Sequence, residues 1–308
     1  MMYAGIYKPR FEEKPMSSIV KKLSKAKLLT PKHSFVTTPV YEVIMGSAAY
    51  GVSNKTSDVD VYGVCVPEKT MVFPHLTGYI SGFGPIPEIF DTYQKHHMEL
   101  DEKEYDVNMY SIVKYFQLCA ENNPNMIDSL FVPTRCILDM DDVGEHMRLN
   151  RHLFLSKQIF DKMRGYAFAE FKKLERGYNP ETSAKRVASV EEFGYDVKSG
   201  YHVVRLMLEA EMVLNEGDLD LEHHREQLKF VRRGGYTLEE LKNWFLHKEK
   251  ELTTSHTNSK LPLKADFSRI RVLLLECLEM HFGTLEYARE ENAVAAETLE
   301  KIRMLIST

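Results

Sequence analysis

The segment VYEVIMGSAAYGVSNKTSDVDVYGVCVP, residues 40–67, constrains the fold more than any other part of the chain. Its opening run of β-branched and apolar residues predicts a buried strand that ends at Gly46. A helix can start within the following AAYG, and residues 58–64 predict a second strand. A strand, a glycine turn, a helix start and another strand indicate an α+β arrangement.

The turn at Gly46 and Ser47 has the chemistry of a phosphate-binding site. Gly46 lets the main chain turn sharply and leaves no Cβ between its amide and a ligand. Amides at the start of a helix direct several donors and a positive dipole end toward an anion. Ser47 adds a hydroxyl donor, and Gly51 lets another group approach closely. We therefore expect phosphate oxygens at this turn.

Two aspartates follow about a dozen residues later. In a strand, residues two apart face the same side, so Asp58 and Asp60 face one side while Val59 and Val61 face the other. Carboxylates this close raise each other's pKa unless a cation lies between them. Mg²⁺ is suited to that position, because it binds one or two carboxylates together with substrate phosphates. A phosphate site beside a metal-binding pair predicts nucleotide chemistry.

The rest of the chain has strands first and helices later. Two further strands are predicted at 88–100 and 104–110. Ser111 is the predicted N-cap of the helix that follows them. After Asp141, apolar periodicity predicts helices only, over 155–176, 195–216, 237–251 and 266–304. We predict an α+β domain over residues 1–140 and an all-helical domain over residues 141–308.

Composition excludes several classes of protein. The chain has 308 residues, 44% hydrophobic and 28% charged, which is typical of a soluble globular protein. No apolar run approaches the roughly 20 residues that span a bilayer, so no membrane partner is expected. The N-terminus lacks a secretory signal, and the four scattered cysteines indicate reduced thiols, which together predict a cytoplasmic protein. Because the net charge is -5, a nucleic-acid partner would require a local basic patch.

The pattern G-S-x-x-x-G followed by S-D-x-D resembles the signature of the polymerase beta nucleotidyltransferase superfamily. The matching residues are Gly46, Ser47, Gly51, Ser57, Asp58, Asp60 and Gly63. With YDVNMYSIVKYFQLCAENNPNMIDSLF, YDVKSGYHVVRL and VRRGGYTLEEL, most of residues 40–241 resembles the bacterial and phage family of predicted nucleotidyltransferases linked to RNA repair. The resemblance implies a polymerase beta-like domain, a mixed sheet with helices, followed by a helical domain.

The resemblance also implies a third carboxylate on a neighbouring strand, and Asp106 in EYDVNMY matches that position. Asp58 and Asp60 would hold the nucleotide-bound Mg²⁺. Asp106 would complete a second metal site and help to deprotonate the attacking hydroxyl. Many members have a basic or polar residue after the Gly-Ser pair, where this chain has Ala48. Further positive charge for a triphosphate must then come from elsewhere.

Basic residues outside the motif are candidates for that charge. Lys198, His202 and Arg205 share one helix face and would contact a triphosphate or an RNA backbone, with Arg205 suited to a bidentate phosphate contact. The alternative is a solvated helix face. Arg232-Arg233 have the alternatives of a phosphate contact or a solvated loop. A basic amphipathic helix predicted at 16–30 has the alternatives of a contact with an RNA backbone or a solvated surface.

Two histidine pairs and three aromatic residues have structural interpretations. His96 and His97 would face opposite sides of a strand and so could not easily chelate one metal. We predict structural roles for the second pair in a charged turn, and core packing for the aromatic residues at helical spacing: His223, His224, Tyr166, Phe168 and Phe171.

These features predict a Mg²⁺-dependent nucleotidyltransferase that moves a nucleoside monophosphate from an NTP to a hydroxyl and releases pyrophosphate. The favoured acceptor is an RNA 3′ end, such as that of a damaged tRNA. One alternative is a protein side-chain hydroxyl, which the overall acidity favours. The other is a module that binds nucleotide without turnover, although such proteins usually lose a metal carboxylate. The sequence does not define the base of the NTP.

Overall fold

A computed structural model of the chain describes residues 17–53, 57–176 and 184–285. Within these ranges, five strands form one mixed sheet in the order β3-β4-β2-β1-β5. Their bounds are β1 Tyr41–Ile44, β2 Val59–Cys65, β3 Thr92–Leu100, β4 Lys103–Ser111 and β5 Ile137–Met140. β2 and β4 run parallel, whereas all other neighbours are antiparallel. The N-terminal ends of β2 and β4 therefore lie side by side.

Most of the remaining described residues are helical, and the part after residue 141 has helices only. The α-helices in chain order are α1 Ile19–Lys25, α2 Gly46–Ala49, α3 Lys69–Val72, α4 Ile112–Ala120, α5 Pro124–Phe131, α6 Asp142–Leu149, α7 Gln158–Arg176, α8 Ala184–Phe193, α9 Val197–Glu216, α10 Arg225–Arg232, α11 Leu238–Asn258 and α12 Phe267–Phe282. None of these helices has the length and apolar character needed to cross a bilayer. We call the part after residue 141 the helical part.

The predicted fold class, a mixed sheet with helices followed by a mostly helical part, is confirmed, and all four predicted strands are present. The predicted domain boundary at residue 140 stays a prediction. The short elements α3, β5, α6, α8 and α10 have no counterpart among the predicted elements, because few residues give little periodicity. The helix predicted at 266–304 ends at Phe282, before Gly283 with its left-handed φ of 81°. Residues 286–304 of that prediction, and residues 177–183 between the helices predicted at 155–176 and 195–216, lie outside the described residues.

Local sequence explains the β3–β4 turn and the start of α4. The β3–β4 turn has left-handed φ values at Asp101 and Glu102, 50° and 59°, which suit a tight two-residue hairpin turn. Ser111 ends β4 and caps α4, as predicted, because its side chain accepts a hydrogen bond from the Lys114 amide. The strand thus passes directly into a helix that covers the sheet.

The two faces of the sheet have different neighbours. Val61 and Val107 pack with Val20 and Leu23 of α1 on one face. On the other face, residues such as Val64 belong to a core that continues through α4 and α5 into α7 and α9. Because strand residues alternate between faces, even-numbered residues of β2 and β4 point toward the helical part. This alternation directs the two strand aspartates toward the helices.

α1 is held on the sheet by polar contacts as well as by its apolar side. It spans residues 19–25 rather than the predicted 16–30, of which residue 16 lies outside the described ranges. Lys21 pairs with Asp139, and Lys22 lies 2.6 Å from Asp101. Two of the lysines proposed for a phosphodiester contact are therefore paired with the sheet, and that contact stays a prediction.

A buried glutamate holds α1 on the sheet, and its removal should lower the stability of the fold. Glu42 of β1 has no exposed surface, and its carboxylate accepts hydrogen bonds from Ser18 Oγ at 2.5 Å and from the amides of Ile19 and Val20 at 2.8 and 3.0 Å. We expect Glu42→Ala to lower the free energy of unfolding by about 3 kcal/mol, because three donors lose their acceptor. Urea unfolding measures this. The exposed Glu99→Ala serves as control, and a loss for Glu42→Ala no larger than in that control would contradict the assignment.

Candidate active site

The Gly46 turn lies directly against Asp60. Gly46 has a left-handed φ of 62°, and a Cβ at this position would overlap the Asp60 carboxylate. Glycine is therefore required both by the backbone conformation and by the close approach. α2 is a single turn of four residues, so the helix dipole expected from the sequence is small. The main-chain amides and the Ser47 hydroxyl remain as donors for an anion.

The three predicted carboxylates come together at the N-terminal ends of β2 and β4. Asp60 and Asp106 are directly paired in the parallel register, and Asp58 comes just before β2. Burial raises the pKa of Asp60, the charge of Asp106 raises it further, Lys198 lowers it, and Asp58 raises it. Lys198 and both neighbouring aspartates are thus close enough to act on Asp60 electrostatically.

This donor set fits a divalent cation such as Mg²⁺. Carboxylate oxygens are its preferred protein ligands, and mutual repulsion is what a bound cation would relieve. Asp58 is exposed and Asp60 half-buried, so an ion could reach the pair from solvent. The residues present therefore suit the metal that the sequence implies.

β3 contacts Asp106 through an irregularity that the sequence pattern does not predict. The β3–β4 register shifts between Lys95 and Met98, and His97 has a left-handed φ of 55°. The His97 amide donates to Asp106 Oδ1 at 2.8 Å, and His96 Nδ1 lies 3.4 Å from Asp106 Oδ2. The irregularity interrupts the simple alternation of the strand and brings the His96 side chain and the His97 main-chain amide to one carboxylate. That His96 and His97 do not chelate one metal together stays a prediction. The ligand atoms of His97, Glu104 and Asp106 lie within 4.8 Å of one another.

A cavity of about 470 Å³ lies between the aspartates and the helical part. The side toward the sheet contains the motif residues Gly46, Ser47, Ser57, Asp58 and Asp60, and the opposite side contains Arg186, Lys198, Tyr201, His202, Arg205 and Arg232. The predicted nucleotide-binding residues therefore line one cavity, and Asp106 lies on the strand next to Asp60. The segment 54–56 within the motif lies outside the described residues.

Three basic side chains bring positive charge to the cavity, namely Lys198, Arg186 and Arg232. Lys198 is exposed, and its ammonium lowers the pKa of Asp60. Arg186 Nε lies 3.6 Å from Asp196, which also lines the cavity. Arg232 donates to the Val52 carbonyl at 2.9 Å and lies over the Tyr201 ring. Sequence reasoning missed Arg186, because no motif surrounds it.

His202 differs from its neighbours on the same helix face. Burial lowers its pKa to about 3, and the charges of Arg205, Lys198 and Arg186 lower it too. The imidazole is therefore neutral at neutral pH and offers one donor and one acceptor. It adds polarity to the cavity but no positive charge.

Arg205 is buried, with 6% of its surface exposed, so the interpretation as a solvated helix face does not apply to it. Its guanidinium lies 2.9 Å from Asp128 of α5, which has no exposed surface, and stacks over the Tyr50 ring at 4.5 Å. It also contacts Tyr50 Oη, which donates to Asp128 at 2.6 Å. The predicted phosphate contact of Arg205 stays a prediction, and the guanidinium has an internal carboxylate partner.

The residues after the Gly-Ser pair are held by contacts from outside the motif. Arg135 donates to the Ala48 carbonyl at 2.9 Å and pairs with Glu222 at 2.7 Å. A Cβ at Gly51 would lie only 2.8 Å from Glu222 Oε1. The absence of a side chain at this second motif glycine therefore lets the helical part pack closely against the turn. These contacts hold the turn at the edge of the cavity.

The three aromatic residues of α7 have different environments. Phe171 is buried and stacks on Phe245 with ring centroids 4.8 Å apart, so its predicted core role is confirmed. Tyr166 and Phe168 are each 50% exposed, and their predicted core role is wrong. The buried side of α7 runs through residues such as Met163 and Ala167, and Tyr166 and Phe168 lie on its two flanks.

Comparison with known families shows which protein family the chain belongs to. The model of the RlaP family, described as the RNA repair pathway DNA polymerase beta family, matches residues 20–298. The chain belongs to this family. The RlaP match includes all of α1 except Ile19 and extends well beyond residue 241, so it is longer than the resemblance seen in the motifs.

Among solved structures, similarity is found between this RlaP member and a nucleotidyltransferase-like protein from Exiguobacterium sibiricum. The two share 9% sequence identity with a TM-score of 0.26, over 92% of this chain and 89% of the other. No curated protein matches the chain significantly.

Proposed function

We propose that this chain is a nucleotidyltransferase that moves a nucleoside monophosphate from an NTP to a hydroxyl acceptor and releases pyrophosphate. The observation that carries the proposal is the grouping of Asp58, Asp60 and Asp106 beside the Gly46 turn, at a cavity with basic residues on its other side. Carboxylates that hold metal and cations that hold phosphate are the two requirements of phosphoryl transfer. The polymerase beta character of the family supports the same chemistry.

Each group then has a defined task. Asp58 and Asp60 would hold the nucleotide-bound Mg²⁺, and Asp106 would hold a second ion and receive the proton of the attacking hydroxyl on a carboxylate oxygen. When bound, the metal would stabilise charge that develops on the phosphate oxygens. The amides of the Gly46 turn, Ser47 Oγ and the basic residues of the helical part would fix the triphosphate.

The proposed acceptor is an RNA 3′ end, such as that of a tRNA. The description of the family as part of an RNA repair pathway supports this choice. Residues 1–140 would act as the catalytic domain and residues 141–308 would contact the acceptor. A protein hydroxyl as acceptor, and nucleotide binding without turnover, are alternative outcomes of the test below.

The test is incubation of the purified chain with each α-³²P-labelled NTP, Mg²⁺, and tRNA with intact or truncated 3′ ends. We expect label that is sensitive to nuclease, together with release of pyrophosphate. Label that resists nuclease and remains on protein would replace RNA by a protein acceptor. Tight NTP binding without pyrophosphate release across acceptors of both kinds would contradict the enzymatic proposal.

The position of Lys198 in the cavity predicts that its removal weakens NTP binding. We expect Lys198→Ala to raise the KM for NTP about tenfold, because one charged phosphate contact in an exposed position contributes about 1.4 kcal/mol. The value of kcat should change less, because a phosphate contact made equally in the ground state and the transition state lowers KM without raising kcat. Steady-state kinetics measure this, with the exposed Lys250→Ala of α11 as control. An unchanged KM would place the triphosphate elsewhere.

A further inference from the structure

We propose that the irregularity in β3 at His96 and His97 positions Asp106, and that His96 is a positioning residue for the metal site. The inference rests on the proposed function and deepens it, because nothing in the signature motif involves β3. We call residues 95–98 the β3 bulge.

The first observation is conformational. Pairing between β3 and β4 is regular on both sides of the β3 bulge, from Thr92 to Lys95 and from Met98 to Leu100. Between them, His97 adopts a left-handed φ of 55° without being glycine. Such a backbone is disfavoured for a residue that carries a side chain, and bulges are common where a strand redirects a side chain next to an active site.

The second observation is where the bulge directs its polar groups. Asp106 Oδ1 accepts the His97 amide at 2.8 Å, and Oδ2 faces His96 Nδ1 at 3.4 Å. Both oxygens of one carboxylate therefore have partners on β3. The His97 side chain pairs with Glu104, two residues before Asp106 on β4, which fastens the bulge to the neighbouring strand.

These contacts matter because Asp106 lies in register beside Asp60. A carboxylate that is free to rotate binds a cation less well than one held by neighbours, and loss of such a neighbour typically costs about 10–100-fold in metal affinity or activity. A purely structural bulge would need no contact with Asp106. Convergence on that one carboxylate therefore favours a role in positioning it.

The test compares His96→Ala with His96→Asn. The Asn amide nitrogen occupies nearly the same place as His Nδ1, so Asn can restore the contact with Asp106, whereas Ala cannot. His247→Ala of α11 is the control, because His247 also pairs with a carboxylate, at 3.2 Å, outside the site. Mn²⁺ binding is titrated by electron paramagnetic resonance in each variant, and kcat and the KM for NTP are measured separately.

We expect His96→Ala to weaken Mn²⁺ binding about 10-fold or more and to lower kcat similarly, with the KM for NTP within threefold of wild type. His96→Asn should recover most of both losses, and His247→Ala should match wild type. Equal Mn²⁺ affinity in wild type and His96→Ala, or no recovery with Asn, would overturn the positioning role. The Mn²⁺ titration does not require turnover, so it separates failure of this inference from failure of the proposed activity.

Discussion

Asp58→Asn and Asp60→Asn are each expected to lower NTP-dependent pyrophosphate release by ~10³-fold or more. Each variant replaces a carboxylate proposed to hold the metal with a neutral amide. Metal stabilisation of the transferred phosphoryl group contributes several kcal/mol, at 1.36 kcal/mol per tenfold in rate. Pyrophosphate release at saturating Mg²⁺ and NTP measures the effect. Asp91→Asn, an exposed aspartate just before β3, is the matched control and should retain full activity.

The same Asp60→Asn variant should melt at a higher temperature than wild type in metal-free buffer at pH 7. Burial and the neighbouring carboxylates raise the pKa of Asp60, so ionising this group costs the folded protein more than the unfolded chain. Stability is therefore lost as the pH rises from about 4 through the raised pKa, and Asn removes that loss. Lower activity with a lower melting temperature would indicate a folding defect instead of a lost metal ligand.

Arg205→Met is expected to destabilise the protein by about 3–5 kcal/mol. Burial raises the pKa of Asp128, the charge of Arg205 opposes that shift, and removing the guanidinium leaves a carboxylate with no exposed surface and no cation. The contact between Tyr50 and Asp128 remains but cannot compensate a buried charge. Urea unfolding monitored by circular dichroism measures the loss.

The double variant Arg205→Met with Asp128→Leu provides the control for this effect. It removes Arg205 together with one of its two buried carboxylate partners, the other being Glu209 at 3.7 Å, so we expect it to be less destabilised than Arg205→Met alone. A raised KM for NTP in Arg205→Met with unchanged stability would contradict the internal role. That result would instead assign Arg205 to phosphate binding, as the helix face in the sequence first indicated.

Much of the candidate site could be predicted because it depends on local rules. The period of two in a strand assigns Asp58 and Asp60 to a common side, and the left-handed turn explains why Gly46 is glycine. Asp106 required the family resemblance, since spacing alone does not indicate that β4 lies parallel to β2.

The unpredicted features depend on contacts between distant parts of the chain. Arg205 and Asp128 are 77 residues apart, and nothing local to either residue indicates that they pair in the core. The β3 bulge contains no glycine, so its left-handed residue has no compositional signal. Arg186 reaches the cavity only through the packing of α8 against α9. The identity of the charged residues around the cavity thus depends on tertiary structure. The main-chain turn at Gly46 depends mostly on local sequence.

The most direct test is a crystal structure of the chain with Mn²⁺ and a non-hydrolysable NTP analogue, recorded with anomalous diffraction. We predict an anomalous peak bound by Asp58 and Asp60, with the triphosphate against the Gly46 turn and within reach of Lys198. An analogue bound elsewhere, or no metal peak at these carboxylates despite bound nucleotide, would contradict the assignment of this cavity as a nucleotidyltransferase active site.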